Sequence, residues 1–277
     1  MTGGKAEVQE LESIAREVRL DVLKMIRAAG SGHPGGSFSA VEILVELYWR
    51  VLRIRPAEPD WADRDRFVLS KGHACPALYS VLARRGYFPQ EELLTLRKLG
   101  SRLQGHPSMN HLEGLDASTG SLGQGLSISC GIAHGVRLDR RPSRVYCLLG
   151  DGELQEGNVW EAAMTASHYN LSHLTAIVDR NRVQLDGHVS GVMEIEPLVD
   201  KWLSFGWDVI VAEGHSFLSL AKAFQHCRET DFPSVLIAKT VKGKGVSFME
   251  DTHEWHGKCP NPSQYEKAVK ELKGGGE

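Results

Sequence analysis

A carboxylate and an amide each follow an apolar run in the second half of the sequence. Asp151 stands in Leu-Leu-Gly-Asp-Gly-Glu (148–153), and Asn181 comes 30 residues later, after the apolar run 174–178. If the two runs are adjacent parallel strands, both side chains lie at the sheet edge where such sheets bind ligands. Carboxylate, amide and backbone carbonyl oxygens suit Mg²⁺ or Ca²⁺, and three of them leave room for phosphate oxygens. Gly-Asp-Gly by itself is equally consistent with a plain turn.

Histidines stand in several glycine-rich segments. These are Ser-Gly-His-Pro-Gly (31–35), Leu-Ser-Lys-Gly-His-Ala (69–74), Gly-His-Pro (105–107) and Trp-His-Gly (255–257). A further segment, Thr-Gly-Ser-Leu-Gly-Gln-Gly (119–125), is rich in glycine without a histidine. An imidazole N–H can donate to a phosphate oxygen, and histidine exchanges protons near neutral pH. A single histidine before proline is usually a loop residue, so the indication comes from the whole set.

Two histidine pairs have a spacing that zinc ligands could use. They are His253 with His256, and His106 with His111. Neither pair is accompanied by the cysteines or the second histidine pair of structural zinc sites, so we do not expect zinc. The remaining histidines are assigned structural roles: His134, His168, His173, His188, His215 and His226.

The glycine-rich segments form an ordered set along the chain, and the set as a whole is more specific than any one segment. Together with Gly-Asp-Gly-Glu-Leu-Gln-Glu-Gly (150–157), they closely resemble the amino-terminal half of transketolase, over roughly residues 10–260. One departure is Asp179-Arg180-Asn181, where many thiamine enzymes carry two consecutive asparagines. The asparagine that would bind the metal is retained.

The resemblance implies a site for thiamine diphosphate and Mg²⁺, for which Ca²⁺ can substitute. It assigns the metal to Asp151, Asn181 and the carbonyl of Val183. The catalytic residues that face the sugar would be His33, His106 and His256. The cofactor contacts would be His73, Gly120, Ser121, Leu122, Gly152, Glu153, Asn181, Lys242 and His256. Glu156 and Glu161 would lie at a subunit interface, although acidic residues near a helix start also favour the helix electrostatically.

The implied reaction moves a two-carbon ketol unit from a ketose phosphate to an aldose phosphate, as in the pentose phosphate pathway. A whole transketolase is more than twice as long, and its other half supplies the glutamate that activates the cofactor and most arginines that bind the substrate phosphate. We therefore expect a split enzyme, a heterotetramer with two copies of a carboxy-terminal subunit. Two alternatives stay open: an enzyme for a sulfonated or branched ketose, and a non-catalytic cofactor-binding homologue.

The hydrophobic pattern predicts the elements that hold these segments. Apolar residues recur at helical spacing over about 8–27 until Gly30. Further helices are expected at 40–51, 76–85, 91–99, 126–137, 159–169 and 218–228, and strands at 66–70, 145–149, 174–178, 209–212 and 235–238. This alternation predicts an α/β fold, a parallel sheet flanked by helices on both faces. We expect one domain over 1–277 with a core at about 10–260, a glycine loop at 31–37 and a tail at 261–277.

The composition limits the partners to consider. The 277 residues are 42% hydrophobic and 24% charged, with a net charge of −3 and no long basic run, which argues against nucleic acid. No stretch approaches the roughly 18 apolar residues of a membrane span, and the amino terminus lacks a signal-peptide core. Five dispersed cysteines indicate reduced thiols, so we expect a cytoplasmic protein without membrane contact.

Overall fold

Five parallel strands form one sheet in the computed structural model, which describes residues 2–274. The strands are β1 (Arg66–Leu69), β2 (Val145–Gly150), β3 (Leu174–Arg180), β4 (Asp208–Glu213) and β5 (Ser234–Lys239). Their order across the sheet is β1-β2-β3-β5-β4. All five predicted strands are therefore confirmed, and so is the parallel sheet.

Helices cover both faces of the sheet, as expected. They are α1 (Thr2–Ala29), α2 (Pro34–Ser39), α3 (Val41–Glu46), α4 (Cys75–Arg84), α5 (Gln124–Leu138), α6 (Gly157–His168), α7 (Val189–Val192), α8 (Leu198–Ser204), α9 (Phe217–Glu229) and α10 (Pro262–Leu272). Among these described helices none is long and apolar enough to cross a membrane. Short 3₁₀ turns lie at Gly72–Ala74, Gln90–Thr95, Gly152–Gln155 and His253–Trp255.

The hydrophobic core has two parts, one on each face of the sheet. Tyr146 and Leu148 of β2 point into the part formed with α1, α3, α4 and α9. Cys147 and Leu149 point into the part formed with α5, α6 and α8. Successive side chains of a strand face opposite ways, so a strand covered on both faces is apolar throughout. This is why β2 and β3 are recognisable as continuous apolar runs.

The amino-terminal third differs from the prediction in three places. The expected glycine loop at 31–37 gives way to α2, which Pro34 begins because its fixed φ suits the first helical position. The helix expected at 40–51 is divided into α3 and a π-helical turn, Leu47–Val51. The helix expected at 91–99 is only the 3₁₀ turn Gln90–Thr95.

The segment 261–277, predicted as a tail, contains helix α10. Asn261 and Gln264 form a capping box at its start, and Pro262 occupies the first turn. Ala268 and Leu272 are buried on the side that packs against α1. The prediction of a tail was wrong because it gave no weight to this cap or to the apolar spacing that follows it.

Candidate functional site

A cavity of about 290 Å³ lies at the carboxyl ends of β1, β2, β3 and β5. The register pairs Gly150 of β2 with Asp179 of β3, so the residues that follow both strands emerge side by side. Most of the predicted site residues line this cavity: His73, Leu122, Asp151, Gly152, Glu153, Glu156, Asn181, Val183, Lys242 and His256. The residues that follow β2 and β3 therefore lie at the same edge of the sheet, as predicted.

Asp151 is a buried carboxylate with several donors around it. Its Oδ1 accepts from the backbone N–H of Gly152 at 2.8 Å, and its Oδ2 accepts from the backbone N–H of Arg182 and from the Arg180 guanidinium at 3.1 Å. Burial, and then the nearby charge of Asp179, raise the pKa of Asp151. A buried carboxylate whose ionised form is disfavoured in this way is stabilised by an added cation.

Asn181 presents its amide in a fixed orientation. Its Nδ2 donates to Asp179 Oδ2 at 3.3 Å and Ser39 Oγ at 3.4 Å, while its Oδ1 accepts from the backbone N–H of Val183 at 3.1 Å. Because a carboxylate can only accept, it selects the NH₂ end of the amide and leaves the oxygen on the other side.

The predicted metal ligands offer oxygen atoms that fit a hard divalent cation. Asp151 and Asn181 are buried at the cavity wall, and Val183 lies beside them. Within residues 2–274 no group of three or more His, Cys, Asp or Glu side chains could hold a metal ion. A cation bound by Asp151, Asn181 and Val183 would therefore need further oxygens from a ligand or water.

Four histidine rings lie together beside the cavity. His33 is 5.4 Å from His73 and 5.5 Å from His256 between ring centroids, and His73 is 5.1 Å from His256. His106 stands further out, with its ring centroid 6.3 Å from that of His33, and it is exposed. Nδ1 of His33 is buried with no hydrogen-bond partner among the described residues, so it is available to a ligand.

The histidines of this cluster are neutral near pH 7. Burial, and then Arg97, lower the pKa of His33 to about 4, while burial and then Lys242 lower the pKa of His256 to about 3. Burial also holds the pKa of His73 well below its usual value and lowers that of His106. The expectation that these rings titrate near neutral pH is therefore wrong for His33 and His256 in this chain.

The contact with Lys242 determines which ring nitrogen of His256 carries the proton. The Lys242 ammonium donates to Nδ1 of His256 at 3.0 Å and to the carbonyl oxygen of Val183 at 2.9 Å. A neutral imidazole that accepts at Nδ1 has its proton on Nε2. Burial, and then the charge of Lys71, lower the pKa of Lys242 to about 8, so it still donates at neutral pH.

A buried ion pair at the cavity wall was not predicted. Lys71 and Asp179 are both almost inaccessible to solvent, and the Lys71 ammonium donates to Asp179 Oδ2. Ser39 Oγ at 2.6 Å and Thr240 Oγ1 also donate to this carboxylate. Burial would raise the pKa of Asp179, but the charge of Lys71 and the hydrogen bonds from Lys71, Ser39 and Thr240 together lower it. Lys71 stands inside a glycine-rich segment and Asp179 just before Asn181, yet the sequence does not show that they pair.

Other predicted cofactor contacts have clear roles in packing. The buried carboxylate of Glu153 accepts from Ser70 Oγ and from the backbone N–H groups of Gly123 and Gly150, so it joins three loops. Gly120 has φ +145°, and a Cβ there would lie 3.1 Å from the ring of His106. Their contact with the cofactor stays a prediction.

Leu122 lines the cavity, whereas Ser121 is exposed beside it. Glu156 stands at the N-cap position of α6, makes no capping hydrogen bond with its side chain, is exposed and borders the cavity. Glu161 is exposed in the second turn of the same helix rather than at its start. An interface at Glu156 and Glu161 stays a prediction.

The fold and the cavity define a thiamine-diphosphate-binding domain of the transketolase type. The sequence profile described as "Transketolase, thiamine diphosphate binding domain" matches residues 11–273, so the chain belongs to this family.

Two relatives named as subunits match nearly the whole chain. A 6-deoxy-6-sulfo-D-fructose transketolase subunit from Clostridium sp. (strain MSTE9) is 43% identical over 264 residues, which are 95% of this chain and 96% of that protein. An apulose-4-phosphate transketolase subunit from Phocaeicola vulgatus is 40% identical over 96% of this chain and 95% of that protein.

Full-length transketolases match over less than half of their own length. Human transketolase is 42% identical over 96% of this chain but only 42% of the human protein. The crystal structure of transketolase from Campylobacter jejuni superposes with a TM-score of 0.91 at 32% identity, over 96% of this chain and 43% of that one.

Proposed function

We propose that this chain is the cofactor-diphosphate-binding subunit of a two-chain transketolase. In the proposed reaction, a two-carbon ketol unit passes from a ketose phosphate to an aldose phosphate with thiamine diphosphate and Mg²⁺. The observation that carries the proposal is the cavity at the strand ends, which gathers oxygen ligands, buried lysines and neutral histidines. Membership of the transketolase family supports it.

In this proposal the metal and the diphosphate occupy the inner wall of the cavity. Asp151, Asn181 and the carbonyl of Val183 would hold Mg²⁺, with diphosphate oxygens completing its coordination. His73, Gly152 and Lys242 would meet the diphosphate, since an imidazole N–H, a backbone N–H and an ammonium all donate to phosphate oxygens. Glu153 and residues 120–122 would shape the loops around the other end of the cofactor.

The histidines would then act on the sugar. Thiamine diphosphate, when bound, supplies the electron sink that carbon–carbon bond cleavage requires. His256, whose proton is on Nε2, would donate a hydrogen bond to an oxygen of the donor ketose, and the neutral His33 would accept a hydrogen bond at its unpartnered Nδ1. His106, at the outer side, would bind a hydroxyl of the donor, and a site built this way discriminates strongly against analogues without that hydroxyl.

A separate chain would provide the rest of the active site. Two relatives that the chain covers almost completely are named as subunits, which supports this arrangement. We propose two copies of each chain, with Glu156 and Glu161 at an interface. Light scattering on the purified chain mixed with the product of a neighbouring reading frame should give the mass of such a tetramer. Glu156→Lys with Glu161→Lys should reduce assembly, whereas Glu229→Lys with Glu266→Lys on remote helices should not.

A second candidate is the same reaction on a sulfonated or branched ketose. The names of the sulfofructose and apulose relatives favour it, and the identity to them is about the same as to human transketolase. A donor panel of xylulose 5-phosphate, fructose 6-phosphate, 6-deoxy-6-sulfo-D-fructose and apulose 4-phosphate separates the two. The donor with the largest kcat/KM identifies the substrate class.

The cofactor assignment is tested by calorimetry of thiamine diphosphate in the presence of Mg²⁺. The assembled wild-type protein should bind the cofactor, and Asp151→Asn should lose metal-dependent binding while keeping the side-chain shape. Asp60→Asn, in an exposed loop away from the cavity, is the matched control. Equal binding by wild type and Asp151→Asn would contradict the metal assignment.

A further inference from the structure

Arg180, at the end of β3, stands between two carboxylates. One guanidinium nitrogen donates to Asp151 Oδ2 at 3.1 Å and another donates to Glu196 Oε1 at 2.8 Å. Only 10% of the Arg180 side chain is exposed, whereas Glu196 is half exposed. The other oxygen of Glu196 accepts from the backbone N–H of Leu198 at 2.7 Å, so Glu196 is itself held in place.

The position of this arginine matters because Asp151 is the only carboxylate among the proposed metal ligands. The guanidinium bonds to the same oxygen, Oδ2, that also accepts the backbone N–H of Arg182. A divalent cation that binds Asp151 therefore meets a fixed positive charge and an occupied oxygen. Like charges so close together in a partly buried site repel strongly.

We propose that Arg180 is a positioning residue that competes with the divalent cation for Asp151, and that Glu196 weakens this competition by drawing the guanidinium away. The inference rests on the proposed function, in which Asp151 is a metal ligand. Arg180 keeps Asp151 paired and oriented before the metal binds. When the metal binds, the guanidinium shifts its hydrogen bonding towards Glu196.

A purely structural role would behave differently. If Arg180 only fastened the segment before α8 to the end of β3, breaking either of its bonds would loosen the site. Metal affinity would then fall, or stay the same, in both the Arg180 and the Glu196 variants. Competition instead predicts effects of opposite sign, because loss of Glu196 leaves the guanidinium with Asp151 alone.

The test measures binding of Mn²⁺, as a probe for Mg²⁺, from the electron paramagnetic resonance signal of the free ion. The full chain, assembled with its partner chain, is titrated at pH 7.5 with saturating thiamine diphosphate. Arg180→Gln should bind Mn²⁺ about tenfold more tightly than wild type, and Glu196→Gln should bind it several-fold more weakly. The double variant should resemble Arg180→Gln, since without the guanidinium Glu196 has nothing to draw away.

Two further variants make the result decisive. Arg180→Met removes the charge at similar length and should reproduce Arg180→Gln if the latter folds poorly. Arg182→Lys is the matched control, because Arg182 donates to Asp151 from its backbone N–H and lysine keeps the positive charge near Glu196, so the affinity of this variant for Mn²⁺ should be unchanged.

Unchanged affinity in the Arg180 variants, or a decrease in both Arg180 and Glu196 variants, would overturn the inference. Asp151→Asn distinguishes this failure from that of the proposed function. Loss of Mn²⁺ binding in Asp151→Asn, with no effect of Arg180, would leave the metal site standing and remove only the role of Arg180. Full binding by Asp151→Asn would overturn both.

Discussion

The Lys242 ammonium contacts groups from two parts of the proposed site at once. It donates to Nδ1 of His256, on the side of the sugar, and to the carbonyl of Val183, on the side of the metal. Its pKa of about 8 keeps it charged at neutral pH, although it is buried. This one side chain therefore links the protonation of a histidine to the geometry of a metal ligand.

Replacement of Lys242 by methionine should raise the pKa of His256. The positive charge of Lys242 is, after burial, the largest cause that lowers this pKa to about 3, and methionine removes it. NMR titration of the histidine ring protons would measure the change. Lys244→Met is the matched control, because Lys244 is more exposed and pairs with Glu250. A pKa of His256 that does not move in Lys242→Met would contradict the effect of the Lys242 charge on this ring.

The stability of the chain without cofactor should fall as the pH decreases from about 6.5 towards 4. The unfolded chain binds protons at its histidines below about pH 6.5, whereas His33 in the folded chain binds one only near pH 4. The stabilising contribution is thus complete above pH 6.5 and is lost on acidification. Urea denaturation at pH 7.5, 6.5 and 5 measures it, and His33→Gln should show a smaller loss over this range. An equal loss in both proteins would contradict the prediction.

At this scale the sequence predicted which residues gather, and could not predict their charge states. The resemblance carried by the six segments predicted that His73, Asp151, Asn181, Lys242 and His256 belong together, and all five line the same cavity. The low pKa values of the histidines depend on burial and on Arg97 and Lys242, which only the folded chain brings near. The bond from Arg180 to Asp151 likewise depends on the register of β2 and β3.

At the scale of elements, the Lys71–Asp179 pair fastens the segment after β1 to the end of β3. Lys71→Met should cost about 3–5 kcal/mol of unfolding free energy, because it leaves a buried carboxylate without its counter-ion. Urea denaturation measures this. Lys267→Met breaks an exposed pair with Glu271 and should cost less than about 1 kcal/mol. Equal costs for the two variants would show that the buried pair is not important for stability.

Helix α10 should depend on its cap. Asn261→Ala removes the side-chain acceptor of the capping box and should lower the unfolding free energy by about 1 kcal/mol. Glu266→Ala, at an exposed position of the same helix, should change it by less than half as much. An Asn261 variant as stable as wild type would mean that packing on α1 alone holds the helix.

The strands were the elements most accurately predicted, since their continuous apolar runs follow directly from burial on both faces. The short elements were not. Glycine and proline in 31–37 indicated a loop, but every residue of α2 is buried, and tertiary packing outweighed the low helix propensity of glycine. The start of α10 is readable from Asn261, Pro262 and Gln264, because together they supply a cap and a suitable first turn.

At the scale of the whole molecule, the proposed site is one cavity at the edge of the sheet. It is lined by the proposed ligands for the metal and the diphosphate and by His256, while His33 and His106 lie beside it. The chain spans almost all of two relatives named as subunits and less than half of full-length transketolases. The chain thus belongs to the transketolase family, and the proposed ketol transfer requires the second chain.

The most direct measurement is ketol transfer by this chain, by the proposed partner and by their mixture, each with thiamine diphosphate and Mg²⁺. We expect transfer by the mixture alone, its loss in Asp151→Asn, and a much reduced rate in His256→Ala with assembly intact. Full activity of this chain by itself would contradict the two-chain proposal. A mixture that assembles and binds the cofactor but transfers no ketol unit from any donor of the panel would contradict the proposed function.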